Sequence, residues 1–308
     1  MRSFVNIIRA VSALAALALS ATPALLRAQG AQVSPRADSM RQASQADLDG
    51  DYAKARTLFQ ALIDGAPDPA SKMQAQRALA ISYAFTADCA SAAAIEEKAI
   101  DYWRTREQAE PQNAFYQEGE VSNEAARICF DAGDYSAAER YYRRGTDLGL
   151  REPEPKTHPA SLWDFRLTHA LARINVQRGS ADQAFGLVTR ARKILDDDRA
   201  MAVQQERFYP YLQAYVTLYA PHTVPADDQL SEHLLKDAIA FKGNENDPYL
   251  YWLLADFYRR PSPARPSDLA VEQCKKAYER ATVHNPPTAF VRPRAKACLA
   301  ASKRTPPK

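Results

Sequence analysis

Gly50-Asp51-Tyr52-Ala53-Lys54-Ala55-Arg56-Thr57-Leu58-Phe59-Gln60-Ala61-Leu62, closing at Pro67, is the stretch on which the fold turns. It returns as Gly133-Asp134-Tyr135-Ser136-Ala137-Ala138-Glu139-Arg140-Tyr141-Tyr142 and as Gly179-Ser180-Ala181-Asp182-Gln183-Ala184-Phe185-Gly186-Leu187-Val188. Each copy opens on glycine and a short polar residue. An apolar residue follows, an alanine comes three positions later, and a larger apolar residue four after that. Glycine permits the left-handed turn between two helices. Offsets of three and four mark one buried face of a helix. The alanine sits where two helices approach closely. A weaker fourth copy is Ala87-Asp88-Cys89-Ala90-Ser91-Ala92, running on to Ala99-Ile100.

Upstream of each turn lies a helix with a large, a small and an aromatic residue on one face. Leu79-Ala80-Ile81-Ser82-Tyr83 and Leu254-Ala255-Asp256-Phe257-Tyr258 are the clearest examples. Ala125-Ala126-Arg127-Ile128-Cys129 and Leu171-Ala172-Arg173-Ile174-Asn175 are variants. Together these segments resemble the tetratricopeptide repeat, a helix pair with the pattern W-x2-L-G-x2-Y…A-x3-F…P. The resemblance covers about residues 37–302 in five to six helix pairs and is weakest at 199–245, around Pro210 and Pro221–Pro225. Tyr52, Cys89, Tyr135 and Ala181 are 37, 46 and 46 residues apart, longer than the family's usual period. An α-solenoid of longer repeats, such as the HEAT type, is the rival reading. The resemblance implies an all-α, right-handed superhelical solenoid of stacked antiparallel helix pairs, with the last helix, about 288–302, capping the stack.

Composition agrees with a helical protein. The 308 residues include 57 alanines and only 10 glycines, whereas a sheet protein needs more glycine in its turns. Apolar residues at 46% and charged residues at 25% are ordinary for a globular chain and exclude wholesale disorder or a multi-span membrane protein. The net charge of +3 comes from Arg2, Arg9 and Arg27; without residues 1–28 the chain holds 37 basic and 37 acidic residues. A neutral body argues against bulk nucleic-acid binding. The last 17 residues carry Arg292, Arg294, Lys296, Lys303, Arg304 and Lys308 with no acid, which reads as a solvated tail or as a contact for an acidic partner.

Residues 1–28 have the layout of a secretory signal: arginines, an apolar run from Ala10 to Leu26, then small residues. Cleavage after Ala28 would leave a linker at 29–36, a repeat domain at 37–302 and a basic tail at 303–308. The reading is an exported protein, in a bacterial periplasm; an uncleaved membrane anchor is the alternative. No later segment is apolar enough to span a membrane.

Export raises the question of disulfides. Cys89 and Cys129 are symmetric about the turn at Gln108–Asn113, and Cys274 and Cys298 about Pro286. Residues equidistant from a hairpin turn lie side by side, which points to the pairs 89–129 and 274–298. Unpaired cysteines filling small core slots are the alternative.

No catalytic motif stands out. The five histidines form no H-E-x-x-H, and no nucleophile elbow, P-loop or dinucleotide fingerprint is present. Neither a metal nor a cofactor is expected. The family resemblance does imply a binding face, because the first helix of each pair lines the concave side. Carried onto this chain, it implies Arg77, Asn123, His169 and Trp252 in one series, Ile81, Arg127, Arg173 and Asp256 in another, and Arg166 and Tyr249 one turn away. The arginines are expected as an exposed strip suited to carboxylates and peptide backbone, with Trp252 and Tyr249 as aromatic anchors. Ordinary solvated surface, or Trp252 packed between repeats, is the alternative. The leading expectation is a non-enzymatic exported scaffold that binds a protein or peptide segment there. An envelope-glycan or other extended-ligand module comes second, and an enzyme of unrecognised type third.

Overall fold

The computed structural model describes residues 34–222, 225–260 and 267–302. The export signal at 1–28 and the basic tail at 303–308 lie outside the described residues. From Pro35 onward the chain forms one compact unit of fourteen helices, with no strand among the described residues. Six consecutive hairpins account for most of it: α1 (Pro35–Asp49) with α2 (Tyr52–Asp64), α3 (Pro69–Ala84) with α4 (Cys89–Arg104), α5 (Pro111–Ala132) with α6 (Tyr135–Leu150), α7 (Ala160–Gln177) with α8 (Ala181–Asp197), α10 (Phe208–Tyr219) with α11 (Pro225–Ala240), and α12 (Pro248–Arg259) with α13 (Ser267–Arg280). A short α9 (Arg199–Gln205) precedes α10, and α14 (Pro286–Ser302) ends the array. Consecutive helices pack on one another, as in an α-solenoid. The irregular segment 199–245 thus supplies a hairpin of its own. Pro210 is tolerated in the first turn of α10, where no intrahelical amide is lost. Helix α1 begins at Pro35, two residues before the expected domain boundary, and Arg36 donates to the carbonyls of Leu62 and Ser71.

The repeated turn has a common build. Gly50, Gly133 and Gly179 have φ of 94°, 88° and 81°, and the residue after each donates its amide to the carbonyl five positions back. Asp51 and Asp134 then cap the next helix, accepting from the amides of Lys54 and Ala137. In the weaker copy Ala87 stands in the glycine position at φ 57°, and Asp88 caps α4. The small slots Ala55, Ala92, Ala138 and Ala184 are all fully buried, and so is Phe59 in the large slot. In the α4 copy the large slot holds Glu96, also fully buried.

Helices α5 and α6 cross at glycines. A Cβ on Gly119 would come within 2.9 Å of the Gly145 carbonyl oxygen, and one on Gly149 would collide with the Trp163 indole. Removing these side chains lets fully buried Trp163 of α7 wedge against the crossing. Two cysteine pairs, Cys89–Cys129 and Cys274–Cys298, are bonded, joining α4 to α5 and α13 to α14. Disulfides belong to an oxidising, exported environment. No described helix is long and apolar enough to cross a membrane.

Helix α14 departs from the expected terminal cap. It starts at Pro286, packs on α12 and α13, and also reaches back to α3 and α5. Ala289 joins Ile81 and Phe85 in one apolar cluster. Arg292 donates to the Leu48 and Ala281 carbonyls, and Arg294 donates to the Asp131 carbonyl while lying 3.8 Å over the Phe290 ring. These two arginines, expected in a solvated tail or as a contact for an acidic partner, tie α14 to α1 and to α5.

Candidate functional site

One cavity of about 670 Å³ lies along the first helices of successive hairpins. Its walls come from α5, α7 and α10, with Tyr142 of α6, Gln204 and Gln205 of α9, and the N-terminal ends of α12 and α14 completing them. Helical spacing explains the selection. Tyr116, Glu120, Asn123 and Arg127 recur every three or four residues on α5, as do Arg166, His169 and Arg173 on α7.

Of the ten residues implied for the concave face, Asn123, Arg127, Arg166, His169, Arg173 and Tyr249 line this cavity. Arg77, Ile81, Trp252 and Asp256 do not: Ile81 is buried with Phe85 and Ala289, and Asp256 accepts from the Tyr219 hydroxyl at 3.0 Å. Arg77 is ion-paired at 2.9 Å with Glu124, whose side chain does line it. Trp252 is buried and packs edge-on against Phe290 of α14, with ring centroids 6.3 Å apart.

The exposed basic strip expected from the sequence is corrected on two counts. Arg173 is only 2% exposed. Its Nη1 and Nη2 donate to the Tyr211 and Tyr142 hydroxyls at 3.3 and 3.1 Å, and its guanidinium lies 4.6 Å over the Phe130 ring. The other arginines are largely engaged already. Arg127 donates to Asp131 at 2.8 Å and lies 4.4 Å over the Tyr249 ring; Arg166 is paired with Glu120. Tyr249, expected as an accessible anchor, is 3% exposed against Phe290. Carboxylates of α5 engage Arg127 and Arg166, while tyrosines from α6 and α10 and the returning α14 cover Arg173 and Tyr249.

Three polar atoms in the cavity wall are buried without a hydrogen-bond partner: Arg127 Nη2, Arg173 Nε and His169 Nε2. His169 stacks on Tyr211 at 5.3 Å and 20°. Burial, reinforced by Arg173 and Arg127, holds its imidazole well below the ordinary histidine range, so the ring is neutral at pH 7. Burial also raises the phenols of Tyr211 and Tyr249, which stay protonated as potential donors.

A tyrosine stripe on α10 adds to the residues that the repeat pattern implies. Tyr211, Tyr215 and Tyr219 follow at four-residue spacing, and each hydroxyl is engaged, by Arg173, Gln177 and Asp256 respectively. The spacing was readable, yet an aromatic stripe at helical period ordinarily signals core, and only the partners on α7 and α12 reveal a polar ladder.

A second constellation has the outline of a nucleophilic triad. His222 Nδ1 lies 2.7 Å from Asp228, and Nε2 lies 3.3 Å from the Ser231 hydroxyl. Nε2 is nearer the Thr217 carbonyl, at 3.0 Å, and a nitrogen donating there has no lone pair for a serine proton. Ser231 is fully buried. These contacts tie α10 to α11. Among the described residues no cluster of His, Cys, Asp and Glu could hold a metal ion.

No protein-family model matches the chain, and no curated protein matches it.

Proposed function

We propose that this chain is an exported, non-catalytic scaffold of tetratricopeptide type, wound as a right-handed superhelix, that binds a segment of a partner protein on its concave side. The observation that carries this reading is the convergence of Asn123, Arg127, Arg166, His169, Arg173 and Tyr249 on one cavity of a size typical of ligand sites. Convergent arginine donors with aromatic walls suit a peptide, whose carbonyls and carboxylates need donors and whose side chains need apolar cover. The apparatus for export fits a periplasmic location, the signal layout at 1–28 being matched by two disulfides.

Site-specific photocrosslinking in the native host tests the reading. A crosslinker in place of Gln204, which is exposed at the cavity, is expected to give one dominant protein adduct. One in place of Phe185, exposed on α8, is expected to give none. Equal adducts from both positions, or none from Gln204, would overturn the assignment. Intact mass of the purified protein is expected to show the loss of about 28 residues.

A further inference from the structure

We propose that the deep end of this cavity, at Arg173, Arg127 and His169, is a subsite for a single carboxylate attached to an aromatic group, and that its occupant is an aromatic residue at the C-terminus of the bound segment. The subsite rests on the binding reading above and specifies its chemistry.

The first argument is charge. Among the described residues Arg173 has no ion pair; its partners are tyrosine hydroxyls. Against Arg127, Arg173 and Arg294 stand two carboxylates, Asp131, which acts on all three, and Asp247, which acts on Arg127. Guanidinium stays ionised in a protein interior, so the region holds buried positive charge in excess. An uncompensated charge in a low-dielectric interior is costly unless something neutralises it. An anion bound beside Arg173 supplies that neutralisation.

The second argument is hydrogen bonding. Arg127 Nη2 and Arg173 Nε are buried N–H groups with no acceptor, on two residues that line the cavity. Neutral His169 can add a third donor at Nε2, which is also unpartnered. A guanidinium matches the two oxygens of a carboxylate in one plane.

The third argument selects a monoanion over a polyanion. Toward the rim, Glu120 and Glu124 are already paired with Arg166 and Arg77, and Asp247 adds a further acid to the wall. A phosphate or an acidic run would meet these carboxylates, whereas one deep negative charge would not.

The fourth argument selects an aromatic neighbour. His169 lies between Tyr211, stacked at 5.3 Å, and Phe208, edge-on at 6.4 Å, with Phe165 at 6.2 Å. Phe208 is partly exposed at the cavity, so an incoming ring finds aromatic faces beside the donors.

Calorimetric titration of the mature, disulfide-bonded protein tests the proposal with four probes: acetyl-Gly-Ala-Ala-Phe as free acid, the same peptide as C-terminal amide, 3-phenylpropanoate, and inorganic phosphate. The free-acid peptide is expected to bind at least tenfold more tightly than the amide and than phosphate, and tenfold more tightly than 3-phenylpropanoate. Arg173→Gln is expected to remove the preference for acid over amide. Should that variant fail to fold, the acid-to-amide comparison on the unaltered protein decides. Equal binding of acid and amide, preference for phosphate, or no binding of any carboxylate would overturn the subsite. If 3-phenylpropanoate matches the peptide, the occupant is a free aryl acid and the C-terminal assignment falls. A dominant crosslink from Gln204 together with equal acid and amide binding would reject this subsite and leave the scaffold reading standing; acid-selective binding with no crosslinked protein would do the reverse.

Discussion

His284 Nε2 lies 2.9 Å from Asp47 Oδ2, joining residues 237 positions apart. Asp47 is 1% exposed and also accepts from the Ser82 hydroxyl at 2.8 Å. The imidazole lies 5.6 Å from the Phe85 ring, stacked on it, and 5.5 Å from Phe59. The contact fastens the turn before α14 to the end of α1, so the array returns on itself. Removing the acceptor leaves the buried Ser82 hydroxyl and the His284 ring without a partner, which typically costs about 1–3 kcal/mol. Asp47→Ala is therefore expected to lower the melting temperature markedly and to speed amide exchange in α14. Unchanged exchange there would mean that the arginine contacts hold the closure without it.

The glycine crossing of α5 and α6 is expected to be intolerant. Gly149→Ala introduces a methyl group into the Trp163 indole, and overpacking of this kind costs about 1–3 kcal/mol. Gly186→Ala, with open space around its Cβ position in α8, is the control and is expected to be neutral or slightly stabilising. Chemical denaturation of the two variants separates them.

The repeated turn makes an opposite pair of predictions. Gly133 has open space around its Cβ position, so Gly133→Ala costs only the left-handed backbone, about 1 kcal/mol. Ala87 already bears that strain at φ 57°. Ala87→Gly is expected to stabilise by about 0.5 kcal/mol, the strain relieved less the entropy of an added glycine. A fall in melting temperature for Ala87→Gly would show that its methyl group matters more than its backbone.

Buried carboxyls on the neighbouring helices α4 and α5 make stability depend on pH. Burial, then sharing with Glu107, pushes Glu118 up to about 7 from its ordinary 4.5, against the pull of Arg104 and Arg151. Burial next to Glu124 likewise raises Glu96. A carboxyl whose folded pKa is raised binds its proton more tightly in the folded state, so its favourable contribution is complete below about 4.5 and is lost as pH rises through about 7. Glu118→Gln is expected to flatten the fall in melting temperature across that window. A variant profile parallel to that of the unaltered protein would rule the group out as its source.

Reduction is expected to weaken the fold at two places, the α4–α5 contact and the C-terminal end of the array. The bonds span 40 and 24 residues, which corresponds to about 3–4 kcal/mol each on the chain-entropy account. Paired serine substitutions, 89 with 129 and 274 with 298, are expected to lower stability separately and nearly additively, because they lie in different hairpins. A non-additive loss would reveal coupling through α14.

The helices, their turns and the cysteine partners were legible in the chain because each depends on neighbours in sequence. Gly50, Gly133 and Gly179 mark turns through backbone sterics alone, and Cys89 and Cys129 meet because a hairpin brings equidistant residues together. The positions of Arg127, His169 and Arg173 on one side of α5 and α7 follow from helical period. Their environment does not follow from period. Arg173 is buried because Tyr142 and Tyr211 arrive from helices 31 and 38 residues away, and Trp252 and Tyr249 are covered because Phe290 returns with α14. Glu96 occupies a slot that the repeat fills with apolar residues elsewhere, and no local signal distinguishes a solvated glutamate from a buried one. Local sterics and periodicity assign a residue to a face; whether water, a ring or another helix meets that face is settled only when distant segments pack, because burial is a property of the pair and not of the residue.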